Sequence, residues 1–252
     1  MNIYRQETGK SMQRAVIISG GNIDEDLALR FLSRKPENYS ISEASCGKPE
    51  ENGDPGSSCG RPYLIAADRG LKFLEAHGIS ADLIVGDFDS SPPGFIERYR
   101  SDHPGAQIRR YQPEKDYTDT EIAVTAALEM GRKEIIILGG TGSRIDHVLG
   151  NLQLLELIAD RGGTGIIVDK HNRITLHREN FAIDRDSQWG KYISFFAWGG
   201  KVKGLSLKGF HYGLDHYELG TSGSLGVSNE LDAKTGIVEF TEGQLLMVES
   251  AD

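Results

Sequence analysis

The sequence predicts two domains of different class. The first is an N-terminal α/β domain on a parallel sheet, Rossmann-like in layout, over residues 12–172. The second is a small C-terminal all-β domain, a sandwich or roll, over residues 173–252. Three observations carry this. Short apolar runs such as Ala15-Val16-Ile17-Ile18 and Ile135-Ile136-Ile137-Leu138 alternate with amphipathic segments in the first two-thirds of the chain, the pattern of doubly buried strands between covering helices. From about residue 174 the runs are β-rich, broken by Gly and without helical period. The length of 252 residues leaves room for two modest domains.

Taken in order, Ala15-Val16-Ile17-Ile18-Ser19 is a first strand closed by Gly20-Gly21. Asn22 is placed to cap the next helix, in which Ile23, Leu27 and Phe31 recur every fourth residue. Residues 36–62 are rich in Pro, Gly, Ser and Glu, with five acids and two bases, and read as a long flexible insertion. Tyr63-Leu64-Ile65-Ala66-Ala67 is a strand ending in Asp68. Residues 69–77 are helical, with Leu71 and Leu74 on one face and Gly78 as the stop. Leu83-Ile84-Val85 is the next strand and runs into Gly86-Asp87-Phe88-Asp89, and residues 107–111 are a candidate strand. Thr118-Asp119-Thr120-Glu121 fits a capping box, opening a helix that carries Ile122, Ala126 and Met130 inward and halts at Gly131. Residues 134–138 form a strand leading into Gly139-Gly140-Thr141-Gly142-Ser143-Arg144. A helix over about 146–160 and a strand over 165–168 complete the domain. In the second domain the predicted strands are residues 191–196, 202–207, 237–240 and 245–248.

Charge and composition exclude several classes. Against 28 Lys+Arg stand 37 Asp+Glu, a net charge of −9, the wrong sign for a surface that coats nucleic acid. Apolar runs of four to five residues fall far short of the ~20 that span a bilayer. The start, Met1-Asn2-Ile3-Tyr4-Arg5, lacks the apolar core of a secretion signal. A cytoplasmic protein that meets neither nucleic acid nor membrane is expected. Cys46 and Cys59 both lie in the insertion. A disulfide there is out of place in a reducing cytosol, and a zinc site lacks its second pair of ligands.

Familiar motifs fail on inspection. Gly9-Lys10-Ser11 ends like a P-loop, but the first Gly would fall at Tyr4 and no strand precedes it. Gly140-Thr141-Gly142 lacks the third glycine of a dinucleotide fingerprint, Ile145 standing in its place. His211 and His216 share a loop and read as structural or surface residues.

The acids are more informative. Asp68, then Asp87 and Asp89, follow successive strands, Asp119 opens a helix, and Arg144 and Asp146 follow a glycine-rich strand end. In open α/β sheets ligands bind outside the strands' carboxyl ends, where all of these would gather. Each acid alone reads as a cap or turn residue. Together they suit Mg²⁺, a hard cation that takes carboxylates and substrate phosphates. The backbone of residues 139–143 and the fork of Arg144 suit a phosphate chain.

Ala66-Ala67-Asp68-Arg69-Gly70-Leu71, Gly86-Asp87-Phe88-Asp89-Ser90, residues 114–121 and residues 139–147 together resemble the thiamine pyrophosphokinase family in order and spacing. The likeness runs from about Ala15 to the C-terminus, with later marks at Leu207-Lys208-Gly209-Phe210-His211-Tyr212 and Gly226-Val227-Ser228-Asn229-Glu230. The resemblance implies a catalytic domain that binds ATP and Mg²⁺, followed by a thiamine-binding β domain. It also implies a homodimer with active sites at the subunit interface, and the reaction ATP + thiamine giving AMP + thiamine diphosphate. By matched position, Asp68, Asp87, Asp89 and Asp119 would surround the metal and the phosphates. Lys115, Thr118, Gly140, Arg144 and Asp146 would hold the nucleotide, and Tyr212, Ser228 and Asn229 would hold thiamine. Asp87, Asp89, Asp119 and Arg144 are the groups expected at the reacting phosphates. Two departures stand out: the insertion is longer than the family's connection at that point, and Arg69 stands where the family often has Gly. Two other readings share these residues. One passes the diphosphate to a different alcohol; the other is a sensing module with a degenerate site.

Overall fold

The apolar runs of the first domain pair with one another as parallel strands. The computed structural model describes residues 14–32, 62–67, 69–88, 94–111 and 116–252. The insertion and both cysteines, apart from Pro62, lie outside those residues. The described residues divide into two compact units, and the division falls between Lys170 and His171.

In the first unit, strands β1 (Arg14–Ile18), β2 (Tyr63–Ala67), β3 (Leu83–Gly86), β4 (Gln107–Arg110), β5 (Glu134–Leu138) and β6 (Thr164–Val168) line up in the order β4-β3-β2-β1-β5-β6. Neighbouring strands are parallel, with Val16 opposite both Leu64 and Ile136. Ile17, Ile65, Ile84 and Ile137 are fully buried, as a parallel sheet covered on both faces requires. The covering helices are α1 (Glu25–Leu32), α2 (Gly70–Ala76), α3 (Phe95–Asp102), α4 (Asp119–Glu129) and α5 (Ile145–Asp160).

Local chemistry sets where these helices begin. Thr118 is extended, and its Oγ1 accepts the Glu121 amide at 3.2 Å, the N-cap anticipated from sequence. The cap of α1 is Asp24, whose Oδ1 accepts from the Leu27 amide at 2.9 Å, and not Asn22. The Asn22 amide instead donates to the Thr141 carbonyl at 2.8 Å, which keeps that residue in the turn. The sequence reading also lacks α3, which buries only Phe95 and Tyr99 of its eight residues.

The second unit is antiparallel throughout. Its strands are β7 (Asn172–His177), β8 (Phe181–Asp184), β9 (Tyr192–Lys208), β10 (Leu214–Leu219), β11 (Thr235–Glu239) and β12 (Glu242–Ser250). The runs predicted as two separate strands are one, β9, which continues through Gly199 and Gly204, both at positive φ. Its first half pairs with β12 and its second half with β10 and β11. Phe195, Leu205, Val238 and Leu245 lie in the core between these pairings.

One buried ion pair crosses this unit. Glu249, fully buried on β12, faces Arg173 on β7 and accepts two hydrogen bonds from its guanidinium at 2.5 and 2.6 Å. The Trp189 amide donates to the same carboxylate at 3.1 Å. Burying that charge is tolerable because its lone pairs are engaged. Among the described residues no helix is long and apolar enough to cross a membrane.

Nearby on β7, His177 stacks on Phe181 with ring centroids 3.7 Å apart. Burial, reinforced by the positive charge of Arg173, lowers its pKa to about 4. The folded state therefore holds the imidazole neutral, while the unfolded chain takes up a proton near pH 6.5. The stability this contributes is complete above pH 6.5 and is lost as the pH falls toward 4. His177→Phe keeps an aromatic ring and removes the titration. Its thermal midpoint should vary less than that of the parent between pH 6.5 and 4; identical pH dependence would contradict this account.

Candidate active site

The strand order reverses at β1: the chain adds β2, β3 and β4 on one side and β5 and β6 on the other. Such a switch point leaves a crevice outside the carboxyl ends of the two flanking strands, here β1 and β5. The turns that follow these strands are joined backbone to backbone. Ser19 donates to the Leu138 carbonyl at 2.8 Å, Gly21 to Gly139 at 2.9 Å and Asn22 to Thr141 at 2.8 Å. The approach is so close that a Cβ on Gly21 would lie 2.2 Å from the Thr141 oxygen and 2.4 Å from that of Gly139. Gly139 is itself at φ +68°, a conformation glycine adopts without penalty.

Two helix N-termini meet the same point. The Ser19 hydroxyl hydrogen-bonds that of Thr120, in the first turn of α4, at 2.6 Å. At the start of α2, a Cβ on Gly70 would lie 2.0 Å from the Ile18 oxygen. α4 packs over β1, β2 and β3. Asp119, in its first turn, therefore belongs to the edge where Asp87 follows β3, and both side chains are half-buried. Phe88, next to Asp87, is buried at φ 60°. A bulky residue seldom adopts that conformation, and such strain gathers at functional turns. Asp68, Asp89 and Lys115 lie outside the described residues. Among the described residues no three His, Cys, Asp or Glu side chains group closely enough to hold a metal ion.

The turn after β5 is fixed from below. Gly139 and Gly140 are buried, and Asn151 of α5 donates Nδ2 to the Gly140 carbonyl at 2.7 Å. Thr141 donates its hydroxyl to Asp169, just beyond β6, at 2.8 Å. Thr141 and Gly142 are half-buried and the turn is exposed from Ser143 onward, so the most open part of the candidate phosphate loop is its second half. There Arg144, the residue before α5, gives Nε and Nη2 to the two oxygens of Asp146 at 3.2 and 2.6 Å. These hydrogen bonds lower the Asp146 pKa to about 2 and raise that of Arg144. Both side chains are exposed, and phosphate oxygens suit the same forked donors that Arg144 gives to Asp146.

Sequence reasoning read Gly20-Gly21 as the end of a strand but did not assign it to the site, and it missed Asn151 and Asp169. Asp169 carried the same signal as the other acids, a carboxylate at a strand's carboxyl end. Asn151 carried none, since a polar residue on a helix does not announce which carbonyl it will meet.

In the β unit, Tyr212 is 62% exposed, and its ring meets the edge of His211, centroids 4.7 Å apart. His211 lies 3.2 Å from Asp232, and His216 lies beside Asp215 at 2.7 Å. Ser228 is exposed at φ 58°, its amide donating to the Ser194 hydroxyl at 3.0 Å. Asn229 is 4% exposed, and its side-chain amide is engaged with the Tyr212 backbone.

Joining the turns after β1 and β5 predicts a steep cost for bulk at Gly21. Gly21→Ala should lower stability by about 1–3 kcal/mol or more, as overpacking does. Gly105→Ala, where the new methyl meets nothing within 4 Å, should be close to neutral. Denaturant midpoints measure both, and equal effects would contradict the close approach.

Comparison with known proteins gives a consistent set of likenesses. A family model described as "Thiamin pyrophosphokinase, catalytic domain" matches residues 60–165, and one described as "Thiamin pyrophosphokinase, vitamin B1 binding domain" matches residues 179–245. The chain is 35% identical over 189 residues to thiamine pyrophosphokinase of Bacillus subtilis, covering 75% of this chain and 87% of that protein. The crystal structure of the Bacillus subtilis thiamine pyrophosphokinase superposes with a TM-score of 0.74 at 29% identity, covering 95% of this chain and 99% of the other. That from Geobacillus thermodenitrificans gives 0.71 at 29% identity, covering 95% and 98%.

Proposed function

The chain belongs to the thiamine pyrophosphokinase family, and from that premise we propose that it transfers the diphosphate of ATP to the hydroxyl of thiamine, giving thiamine diphosphate and AMP. The single observation that carries this is the pair of matched domains, catalytic and vitamin-binding, in order along one chain. The switch-point geometry supports it, with two joined glycine turns and two half-buried aspartates at one sheet edge.

In the reaction, the thiamine hydroxyl oxygen bonds to the β-phosphorus of ATP. The bond from that phosphorus to the oxygen bridging to the α-phosphate breaks, AMP departs with that oxygen, and the hydroxyl proton is lost. Such transfers ask the protein mainly for alignment and for opposite charge at the phosphates. Arg144 supplies the forked cation, Lys115 is a second cation in the proposal, and the amides of Ser143 and Arg144 serve the incoming phosphates. Thr118 and Asp146 hold the turn and helix start around them, and Gly140 lets the loop lie close to the sheet.

All four proposed metal residues, Asp68, Asp87, Asp89 and Asp119, are carboxylates, a donor set that fits Mg²⁺ in kind. Bound there, Mg²⁺ would supply positive charge that offsets the charge developing on the departing AMP. At the other end of the reaction, Tyr212 offers a flat face to the thiamine pyrimidine, the Ser228 hydroxyl serves its hydrogen-bonding edge, and Asn229 belongs to the same end of the site.

The same proposal has finer parts. The domains meet near residue 172; the first is Rossmann-like and the second a β-sandwich. The chain works in the cytoplasm as a homodimer with active sites at the subunit interface. Ile145 and Leu149, one helical turn apart on α5 and 65% and 54% exposed, support an interface, since large apolar side chains grouped at a surface mark contact sites.

Incubation with ATP, thiamine and Mg²⁺ should yield AMP and thiamine diphosphate in equal amounts. Asp87→Asn should lower turnover by ~100-fold or more while leaving the thermal midpoint close to the parent's. No AMP from the parent protein would overturn the function. Near-normal turnover in the variant would overturn the role of Asp87.

A further inference from the structure

Ser228 and Asn229 are adjacent, yet the fold treats them in opposite ways. Ser228, at φ 58°, turns the chain so that its own side chain is exposed while that of Asn229 is buried. The Asn229 backbone is locked to β9, donating to the Ile193 carbonyl at 3.0 Å and accepting from the Ile193 amide at 2.8 Å. Its side chain reaches across to a second segment. Oδ1 accepts the Tyr212 amide at 3.0 Å and the Glu230 amide at 2.9 Å, while Nδ2 donates to the Tyr212 carbonyl at 2.8 Å. An asparagine amide has two acceptor sites and two donor hydrogens. Both acceptor sites and one of the hydrogens are taken by backbone.

The side chain of Asn229 thus pairs with residue 212 as a neighbouring strand would, holding both its N–H and its C=O. The chain is secured on either side: His211 donates its amide to the Glu230 carbonyl at 2.9 Å, and Phe210 bridges Leu231. What emerges from this anchored backbone is the 62% exposed ring of Tyr212. A side chain 4% exposed with its acceptors filled is poorly placed to serve a ligand. It is well placed to fix the residue that does.

We propose that Asn229 is a positioning residue that acts through Tyr212, clasping its backbone so that the exposed ring is presented to thiamine. The inference rests on the reading that Tyr212 meets thiamine. Fixing a group before the ligand arrives removes an ordering cost from binding.

The test is a double-mutant cycle on the full-length enzyme, with KM for thiamine, KM for ATP and kcat measured for the parent, Asn229→Ala, Tyr212→Ala and the double variant. Asn229→Ala should raise the thiamine KM roughly five- to tenfold, the worth of about one hydrogen bond, with the ATP KM unchanged. In the Tyr212→Ala background the same change should raise it by less than about twofold, because the group it positions has gone. Effects that multiply in full would overturn the inference and make Asn229 a direct ligand. A Tyr212→Ala enzyme with unchanged thiamine KM would overturn the placement of Tyr212 itself, and the clasp's part in binding with it. Asn229→Asp keeps the acceptors and loses the donor to the Tyr212 carbonyl. It carries the same cycle if Asn229→Ala does not fold, and a fully multiplicative result with it is equally decisive against the proposal.

Discussion

Three backbone hydrogen bonds between the turn after β1 and the turn after β5 govern the first unit. They join the two strands on which the sheet order reverses, and they demand Gly21, where any side chain would meet carbonyl oxygens. Gly139 and Gly140 are buried at the junction, and the turn after β5 becomes fully exposed at Ser143 and Arg144, as α5 begins. A helix start favours anions there. The hydroxyl bond from Ser19 to Thr120 then fixes the first turn of α4, and Asp119 with it, against the same strand end. The candidate phosphate loop and one candidate metal carboxylate are thus set by one backbone junction.

The β unit uses polar groups in a comparable way. Glu249 is buried but answered by Arg173 and the Trp189 amide, and Asn229 is buried but answered by the backbone of residues 212 and 230. In each case a buried polar side chain joins two segments distant in sequence, and leaving either unanswered would be costly. Tyr212 and Ser228, in the same unit, are exposed on chain that Asn229 and Ser194 hold by hydrogen bonds.

Legibility from sequence followed the same division. β1, β2, β3 and β5 could be read because burial on both faces leaves uninterrupted apolar runs, and Thr118 could be read as a cap because its partner is three residues away. Asp24 displaced Asn22 as a cap because Asn22 is claimed by Thr141, more than a hundred residues distant. The helix α3 buries two residues, too few for a period. The continuity of β9 was hidden because Gly199-Gly200 looks like an end in sequence, while the strand runs on through it with Gly199 at positive φ. Of the site, Asp87, Asp119 and Arg144 were legible as chemistry at strand and helix ends. The inward turn of Asn229 was not, because it depends on a left-handed Ser228 that nothing local requires. The acidity has also acquired a place: of the net charge of −9, the insertion accounts for −3 and the four proposed metal aspartates for −4. Those aspartates would recruit the cation that in turn recruits phosphate.

The central claim is that the nucleotide phosphates lie at the crevice between β1 and β5. Backbone amide NMR shifts, measured as a non-hydrolysable ATP analogue and Mg²⁺ are added, test it most directly. The account predicts the largest shifts at residues 20–22 and 141–146, with smaller ones at Asp87 and Thr118. Shifts concentrated along the β4 edge, with the two turns unmoved, would contradict it.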